Sequence, residues 1–600
     1  MKGRILKMKK RVADVIFDTL VENGIVDCFV VVGGGAMHLD NALAINENMT
    51  CHFNHHEQAC AMAAEAYARY SGKMAAVCVT SGPGATNTLT GVMGAWEDGV
   101  PMIVISGNVR YETSIEKSGL PLRYRGLQEF DITNSIKNMT KYSEYLTEPQ
   151  NVKYVVEKAI ATAMHGRRGP VWIDVPQDIQ NAIVETDELE GVRVKIKNPI
   201  ISEMDYDSVI SDLKAAKRPC ILMGTGIQCT HSEDIFEKLI DKIRVPVVGG
   251  AWVGDIFYYE HPLYYGLSGN AGARTGNFIL QNCDYLLVLG NSLSYKQTGY
   301  DIDSFAPKAK ICMVDIDENE YLKNKDKVDE FIHADIIEWM SGIEQHISKE
   351  IVADKAWFDY CDKVLAKFPF WEGECTATKN GRVNKYTFWK QFLEVMPEDT
   401  LIALGNSSVG MAANQIGRKY KGQRMISNYI CGSMGFDIPA AIGLAVAAKK
   451  DVYCVTGDGS AMMNLQELQT IIYKKLPVKI IIFENNGYGA IRQTCKNFFN
   501  GVEFGCTPES GVCCPSFDKI ADAFGYKYNC CDKNEDIVEK LEWLKSNTGQ
   551  CILEIKQQLD DPVYPKLMSK LDSDGNMTSP KLHDMYPFVS EEDMQWLMLN

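Results

Sequence analysis

Six hundred residues are too many for one hydrophobic core, so three or four domains of ordinary size are expected. Apolar residues at 46% and charged residues at 23% are ordinary globular usage and exclude a disordered chain. Asp plus Glu outnumber Lys plus Arg by 78 to 62, a net charge of -16, so the field repels phosphate backbones and anionic lipid; no nucleic acid and no membrane are expected as partners.

The first 24 residues start basic and turn amphipathic without the continuous apolar core of a signal peptide, and read as a helix. No stretch approaches the ~20 apolar residues of a membrane span. The cysteines are scattered, and no CxxC pair is followed by a second at zinc spacing, a pattern that suits a reducing compartment; a cytoplasmic protein is expected. Residues 11–185 alternate helical patterns with short apolar runs at 28–32, 74–80, 101–106 and 170–176, which read as buried parallel strands. A charged stretch at 185–199 reads as a linker. The plan repeats with runs at 218–224, 245–250, 284–290 and 309–317. After a mixed helical stretch at 350–380 it repeats again, at 400–405, 451–459, 477–485 and 551–557. The expected fold is α/β: three consecutive doubly wound parallel-sheet domains, residues 1–185, 200–350 and 375–560, and an irregular C-terminal tail, 561–600.

Two constellations carry chemistry. In the first, VTGDGSAMMN at 455–464 is followed by FENNGYG at 483–489. Asp458 falls at a strand's carboxyl end in a glycine turn opening a helix, where backbone N–H groups can hold a phosphate. A diphosphate with a divalent ion needs hard oxygen ligands: the Asp458 carboxylate, the Asn485 amide oxygen and the Gly487 carbonyl, which no side chain obstructs. The 27 residues from Asp458 to Asn485 accommodate one helix and the next parallel strand, so both ligands emerge at one sheet edge. In the second constellation, FNHHEQACAMAAEAYAR at 53–69 precedes TSGPGATN at 80–87. An isolated Glu57 on an amphipathic helix would be an ordinary solvated charge.

Together these segments resemble the thiamine diphosphate (ThDP)-dependent enzymes, the acetolactate synthases in particular, over roughly residues 11–560. The resemblance implies that Glu57 hydrogen-bonds N1′ of the cofactor's aminopyrimidine and that burial raises its pKa enough to share a proton with the ring. It also implies that the thiazolium serves as an electron sink after decarboxylation of a 2-oxo acid. Gly457, Asp458, Gly459, Ser460, Asn485, Gly487, Tyr488 and Gly489 would hold ThDP and Mg2+, with Asp458, Asn485 and Gly487 on the metal. Gly34 and Gly35 of the VGGGA loop, Pro83, Asn87, Gly410, Gly432 and Met434 would line the cofactor, with Met434 as the apolar residue over which it bends. Gln128 and His56 join Glu57 as candidate catalytic residues. In this family the two cofactor-binding domains that share one ThDP come from different chains, so a homodimer or a dimer of dimers is implied.

Four positions depart from the acetolactate synthase pattern. Leu127 precedes Gln128 where an aromatic is usual, Gln177 replaces a lysine, Lys296 replaces an arginine, and Thr494 replaces the tryptophan that selects the second oxo acid. They converge on the acceptor side while the cofactor residues remain. The expected activity is cleavage of a 2-oxo acid, with pyruvate the expected donor, and transfer of the acetyl unit to a carbonyl acceptor such as a keto sugar nucleotide or an aldehyde. The alternatives are a 2-oxo-acid decarboxylase using His55 or His56 as proton donor, an ordinary acetolactate synthase, or a ThDP-binding regulatory protein. FAD is a candidate cofactor, because GLSGNAG at 266–272 stands where the flavin loop of the family falls.

Overall fold

The structure is a computed structural model that describes residues 8–192, 198–370, 381–559, 561–568, 570–571, 577–578 and 580–599. Parts of the expected linker (193–197) and of the mixed stretch before the third domain (371–380) lie outside the described residues.

Three six-stranded sheets follow one another. The first holds β1 (Asp27–Val30), β2 (Thr50–Phe53), β3 (Ala76–Val79), β4 (Met102–Asn108), β5 (Tyr142–Tyr145) and β6 (Pro170–Pro176), in the order β2-β1-β3-β4-β6-β5. The second holds β7 (Pro219–Met223), β8 (Val247–Gly249), β9 (Tyr264–Leu267), β10 (Tyr285–Leu289), β11 (Lys310–Asp315) and β12 (Glu330–His333), ordered β9-β8-β7-β10-β11-β12. The third holds β13 (Leu401–Leu404), β14 (Arg424–Ile426), β15 (Val452–Gly457), β16 (Val478–Glu484), β17 (Lys527–Cys531) and β18 (Cys551–Lys556), ordered β14-β13-β15-β16-β18-β17. Pairing is parallel, with β4 and β6 in register from Met102 opposite Pro170 to Asn108 opposite Pro176, and β16 and β18 from Lys479 opposite Cys551. Helical crossovers bury the inner strands on both faces, which is why β4 and β6 read as uninterrupted apolar runs.

Five helices position the candidate site residues and the tail: α1 (Glu57–Ser71), α2 (Arg274–Asn282), α3 (Ser408–Ile416), α4 (Asp437–Ala448) and α5 (Gly489–Phe498). By contact the chain divides into two compact units: residues 1–197, 426–454 and 460–478, and residues 198–425, 455–459 and 479–600. In the first unit α1 is almost all small residues and lies against α4, where a Cβ on Gly443 would stand 2.0 Å from the Ala63 carbonyl oxygen. In the second unit the tail is more ordered than its composition suggests, with strands Lys570–Leu571 and Met577–Thr578 and a helix at Glu591–Leu597. Side chains of α2 hold its main chain: Arg274 donates to the carbonyls of Met585 (3.1 Å) and Pro587 (2.5 Å), Asn277 to Leu582 (3.0 Å) and Asn282 to Leu597 (2.9 Å).

Candidate active site

Gly457 ends β15, and Asp458 follows at once, opening a one-turn helix. Asp458 is 2% exposed. Its Oδ1 accepts from Gly459 N–H (2.8 Å), and its Oδ2 accepts from Asn485 N–H (3.2 Å) and Gly487 N–H (3.0 Å). Burial pushes its carboxyl above the usual range, and these three donors pull it back. The turn after β16 is conformationally demanding: Asn486 has φ +64°, and Gly487 has φ +122° with the Cys506 carbonyl oxygen 2.3 Å from where a Cβ would sit. Tyr488 N–H donates to that same carbonyl at 2.9 Å, and Gly489 opens α5. Gly410 in α3 is likewise forced, since a Cβ there would stand 2.1 Å from the Gly405 carbonyl oxygen.

Asn485 directs its amide nitrogen to Gln557 (3.2 Å), while its Oδ1 is buried without a donor. A buried acceptor oxygen left unpaired is costly unless a donor or a cation completes it. Among the described residues no group of three His, Cys, Asp or Glu side chains could hold a metal. The Asp458, Asn485 and Gly487 carbonyl set falls outside that definition, and its chemistry fits a hard divalent ion. Arg492, to which the sequence reading gives no role, fixes this turn by donating to the carbonyls of Asn485 (2.9 Å) and Asn486 (3.1 Å). An arginine in the first turn of the helix after NNGYG was the signal available.

In the first unit Glu57 is the first residue of α1, half-buried, and its Oε2 accepts from Asn87 Nδ2 at 3.0 Å. His56 caps the helix, its Nδ1 accepting from Gln58 N–H at 3.0 Å, which gives it a structural task. Pro83 begins the short helix that ends at Asn87. Gly35 donates to Thr80 Oγ1 (3.0 Å) and has Ser81 Oγ 2.6 Å from its missing Cβ, whereas Gly34 faces open space. Ser460 donates to the buried Asp437 carboxylate (2.6 Å) and accepts from Gly435 N–H (2.8 Å). Gly432 has φ +62°, and Met434 is 38% exposed. Asn464 joins the two segments, its amide donating to Gln58 Oε1 (3.0 Å) and to the Gly435 carbonyl (2.8 Å).

Gln128 is exposed and left-handed at φ +60°, with its carbonyl oxygen 2.5 Å from where a Cβ on Gly82 would sit. Around it, Glu129 accepts from the N–H groups of Ile115, Arg125 (2.8 Å) and Gly126 (2.9 Å). Asn108 ties the Phe130 carbonyl (3.3 Å) to the Asp174 carboxyl (2.6 Å), which also accepts from Ser106 at 2.5 Å.

The four departures divide between the two units, Leu127 and Gln177 in the first, Lys296 and Thr494 in the second. Thr494 shares a cavity of about 210 Å³ with Asn485, Gln493 and Asn497. Lys296 is not among that cavity's lining residues and sits over the Tyr295 ring at 5.4 Å. Gln177, in the first unit, donates to the Gly34 carbonyl at 3.2 Å, and Leu127 is 88% exposed.

Family models match along the whole arrangement: the N-terminal TPP binding domain of thiamine pyrophosphate enzymes at residues 10–134, their central domain at 206–343, and their C-terminal TPP binding domain at 405–555. The chain belongs to the thiamine pyrophosphate enzyme family. Within it, the chain is similar to the acetolactate synthase isozyme 1 large subunit of Escherichia coli K12, 28% identical over 92% of this chain and 95% of the relative. It is also similar to the acetolactate synthase large subunit of Lactococcus lactis (28%, covering 94% and 95%) and to acetolactate synthase 1, chloroplastic, of Zea mays (29%, covering 94% and 89%). Decarboxylase and carboligase chemistry dependent on ThDP is the activity of this family.

Proposed function

We propose that this enzyme decarboxylates pyruvate and transfers the two-carbon acetyl unit to a carbonyl acceptor other than a second small oxo acid. The carrying observation is the unpaired, buried Oδ1 of Asn485, whose N–H donates to Asp458, on a cavity that Thr494 lines instead of a large aromatic. Asp458, Asn485 and the Gly487 carbonyl would hold Mg2+, and the N–H groups around Gly459 and Gly489 would face the diphosphate of ThDP. When bound, ThDP supplies the nucleophile and electron sink for cleavage next to a carbonyl. Asn87 occupies Glu57 Oε2, so Oε1 is the atom left to hold and return a proton at the aminopyrimidine. Gly35, Met434 and Gln128 would shape the reacting end. The exposure of Met434 and Leu127 favours a homodimer or dimer of dimers in which another copy covers these side chains.

FAD does not enter this reading. Asn277 occupies both the N–H (2.8 Å) and the carbonyl (3.1 Å) of Gly269, Asn270 N–H donates to the Lys296 carbonyl (2.8 Å), and Arg274 is spent on tail carbonyls. Asn270 Oδ1 is buried without a donor, but an acceptor cannot hold a diphosphate. The residues present do not fit the flavin.

The test supplies purified protein, ThDP and Mg2+ with pyruvate alone, with 2-oxobutyrate, or with a panel of aldehydes and 4-keto sugar nucleotides, following CO2 and product masses. Loss of an aromatic wall should disfavour 2-oxobutyrate by ~1–3 kcal/mol. Acetolactate at biosynthetic rates, with no panel member competing, would show an ordinary acetolactate synthase instead.

A further inference from the structure

The cavity that holds Asn485 and Thr494 takes one wall from the C-terminal tail, including Asp561, Val563 and Lys566. The tail is pinned on either side of Lys566. Buried Lys385 pairs with the Asp561 carboxylate at 2.9 Å and donates to the Asp561 and Pro562 carbonyls at 2.6 and 2.8 Å. The Tyr386 hydroxyl accepts from Tyr564 N–H (3.0 Å), Gln415 Nε2 donates to the Pro565 carbonyl (2.7 Å), and Leu567 N–H donates to the Asn270 carbonyl (2.9 Å). Lys566 itself exchanges both main-chain hydrogen bonds with Tyr586, at 3.2 and 2.9 Å. Such anchoring places a lysine at the cavity with its backbone already ordered, which lowers the entropic cost of using it.

Three charged residues line the cavity, and two are committed within the chain. Arg492 spends its guanidinium on the carbonyls of Asn485, Asn486 and Leu559, and Asp561 is taken by Lys385. Lys566 has no carboxylate partner among the described residues; its ammonium stands 5.9 Å from the Tyr564 ring centroid, and burial alone pulls its pKa down. A partly desolvated ammonium without a counter-charge is unfavourable until a ligand supplies one. The cavity also lacks the family's arginine, because its replacement Lys296 is not on the lining.

We propose that Lys566 is the anion-recognition residue of this cavity, its ammonium binding an anionic oxygen, carboxylate or phosphate, of a substrate of the reaction proposed above. The proposal rests on that reading for the identity of the substrate. Two sources share the chemistry: the carboxylate of the 2-oxo acid donor and a phosphate on the acceptor.

The experiment uses the ThDP- and Mg2+-loaded full chain as wild type, K566Q and K566R. It measures the KM for pyruvate in CO2 release, acceptor use with D-glyceraldehyde 3-phosphate against D-glyceraldehyde, and calorimetric binding of oxamate and of inorganic phosphate. Loss of one charge-assisted hydrogen bond should weaken the anion about tenfold or more. If the donor carboxylate is the ligand, K566Q raises the KM for pyruvate and loses oxamate affinity in parallel. If an acceptor phosphate is the ligand, the pyruvate KM stays put and the preference for the phosphorylated aldehyde disappears together with phosphate binding. In either case K566R restores most of the effect, while ThDP affinity and Tm match wild type. Unchanged constants for all four probes in K566Q overturn the proposal, and so does a loss of ThDP affinity or Tm shared by both variants. If wild type releases no CO2 from pyruvate, the proposed reaction fails, and the oxamate and phosphate titrations still decide the role of Lys566.

Discussion

Asp458 is buried with three backbone N–H groups on its two oxygens, whereas Glu57 is half-buried with a single side-chain amide on one oxygen. Around Asp458 the backbone is forced into its turn by Gly487 and by Arg492, so the second unit holds its polar ligand set ready-made. The unit that holds Glu57 leaves the apolar side chains of Met434, Ile430 and Leu127 exposed, surface that wants cover. The difference separates two tasks. The buried turn is built to bind without help, and the open face is built to act on what is brought to it. Substitutions at the first should therefore abolish binding, and those at the second should spare binding and slow the chemistry.

The largest effect is expected for Asp458→Ala, which removes a metal ligand and releases the N–H groups of Asn485 and Gly487 together. Magnesium-dependent ThDP binding should fall below calorimetric detection. Asn485→Ala, which keeps the Asp458 hydrogen bonds but deletes the unpaired Oδ1, should give the same loss without disturbing the turn. Wild-type ThDP affinity in both variants would remove the metal assignment. Next comes Glu57→Gln, which should bind ThDP normally and exchange the proton at thiazolium C2 about 10²–10⁴-fold more slowly. Deuterium quench followed by NMR reads this directly, and a wild-type exchange rate would take Glu57 out of the chemistry and collapse the contrast.

How far these features can be read before folding depends on burial. Twelve apolar runs announce the inner strands, from β1 to β18, because helices cover both faces and leave no polar alternation. The six strands without such a run, β2, β5, β9, β12, β14 and β17, are the two edges of each sheet. Their sequences show why: TCHF and YSEY are half solvated, and YYGL is broken by Gly266 at φ +88°. The same rule governs the site. Asp458 and Asn485 are legible because a turn between glycines at fixed spacing has few other uses. Lys385 meets Asp561, Gln557 meets Asn485 and Asn464 meets Gln58 through contacts distant in sequence, and Lys566 becomes notable only once Asp561, the acid lining its cavity, is found paired with Lys385.

Asp174 sharpens the comparison at intermediate strength, because it is a buried carboxyl on the open side, beneath the Gln128 loop. Burial pushes it up to about 7 against the hydrogen bonds of Ser106 and Asn108. The folded chain thus keeps a proton that the unfolded chain releases near pH ~4, so this group's contribution to stability falls as pH rises through that window and is flat above the folded value. Between about pH 5 and 7 it amounts to roughly 2–3 kcal/mol. Asp174→Asn should flatten the dependence of Tm on pH over that range. An unchanged slope in the variant would assign the dependence to other groups.

The smallest effect tests whether the open side trades stability for its task. Gln128 is left-handed at φ +60°, and such a conformation costs a residue bearing a Cβ roughly 1–2 kcal/mol. Glycine relieves that strain but gives back about 0.5–1 kcal/mol through the greater freedom of the unfolded chain. Gln128→Gly should therefore leave Tm equal to wild type or slightly higher. The carbonyl packed against Gly82 and the Glu129 hydrogen bonds do not involve the Gln128 side chain and should persist. If the side chain touches substrate, kcat/KM falls while Tm does not, and ThDP affinity is untouched. A lower Tm together with full activity would mean that the strained residue is a structural element of the loop, and the open face would then differ from the Asp458 turn only in its exposure.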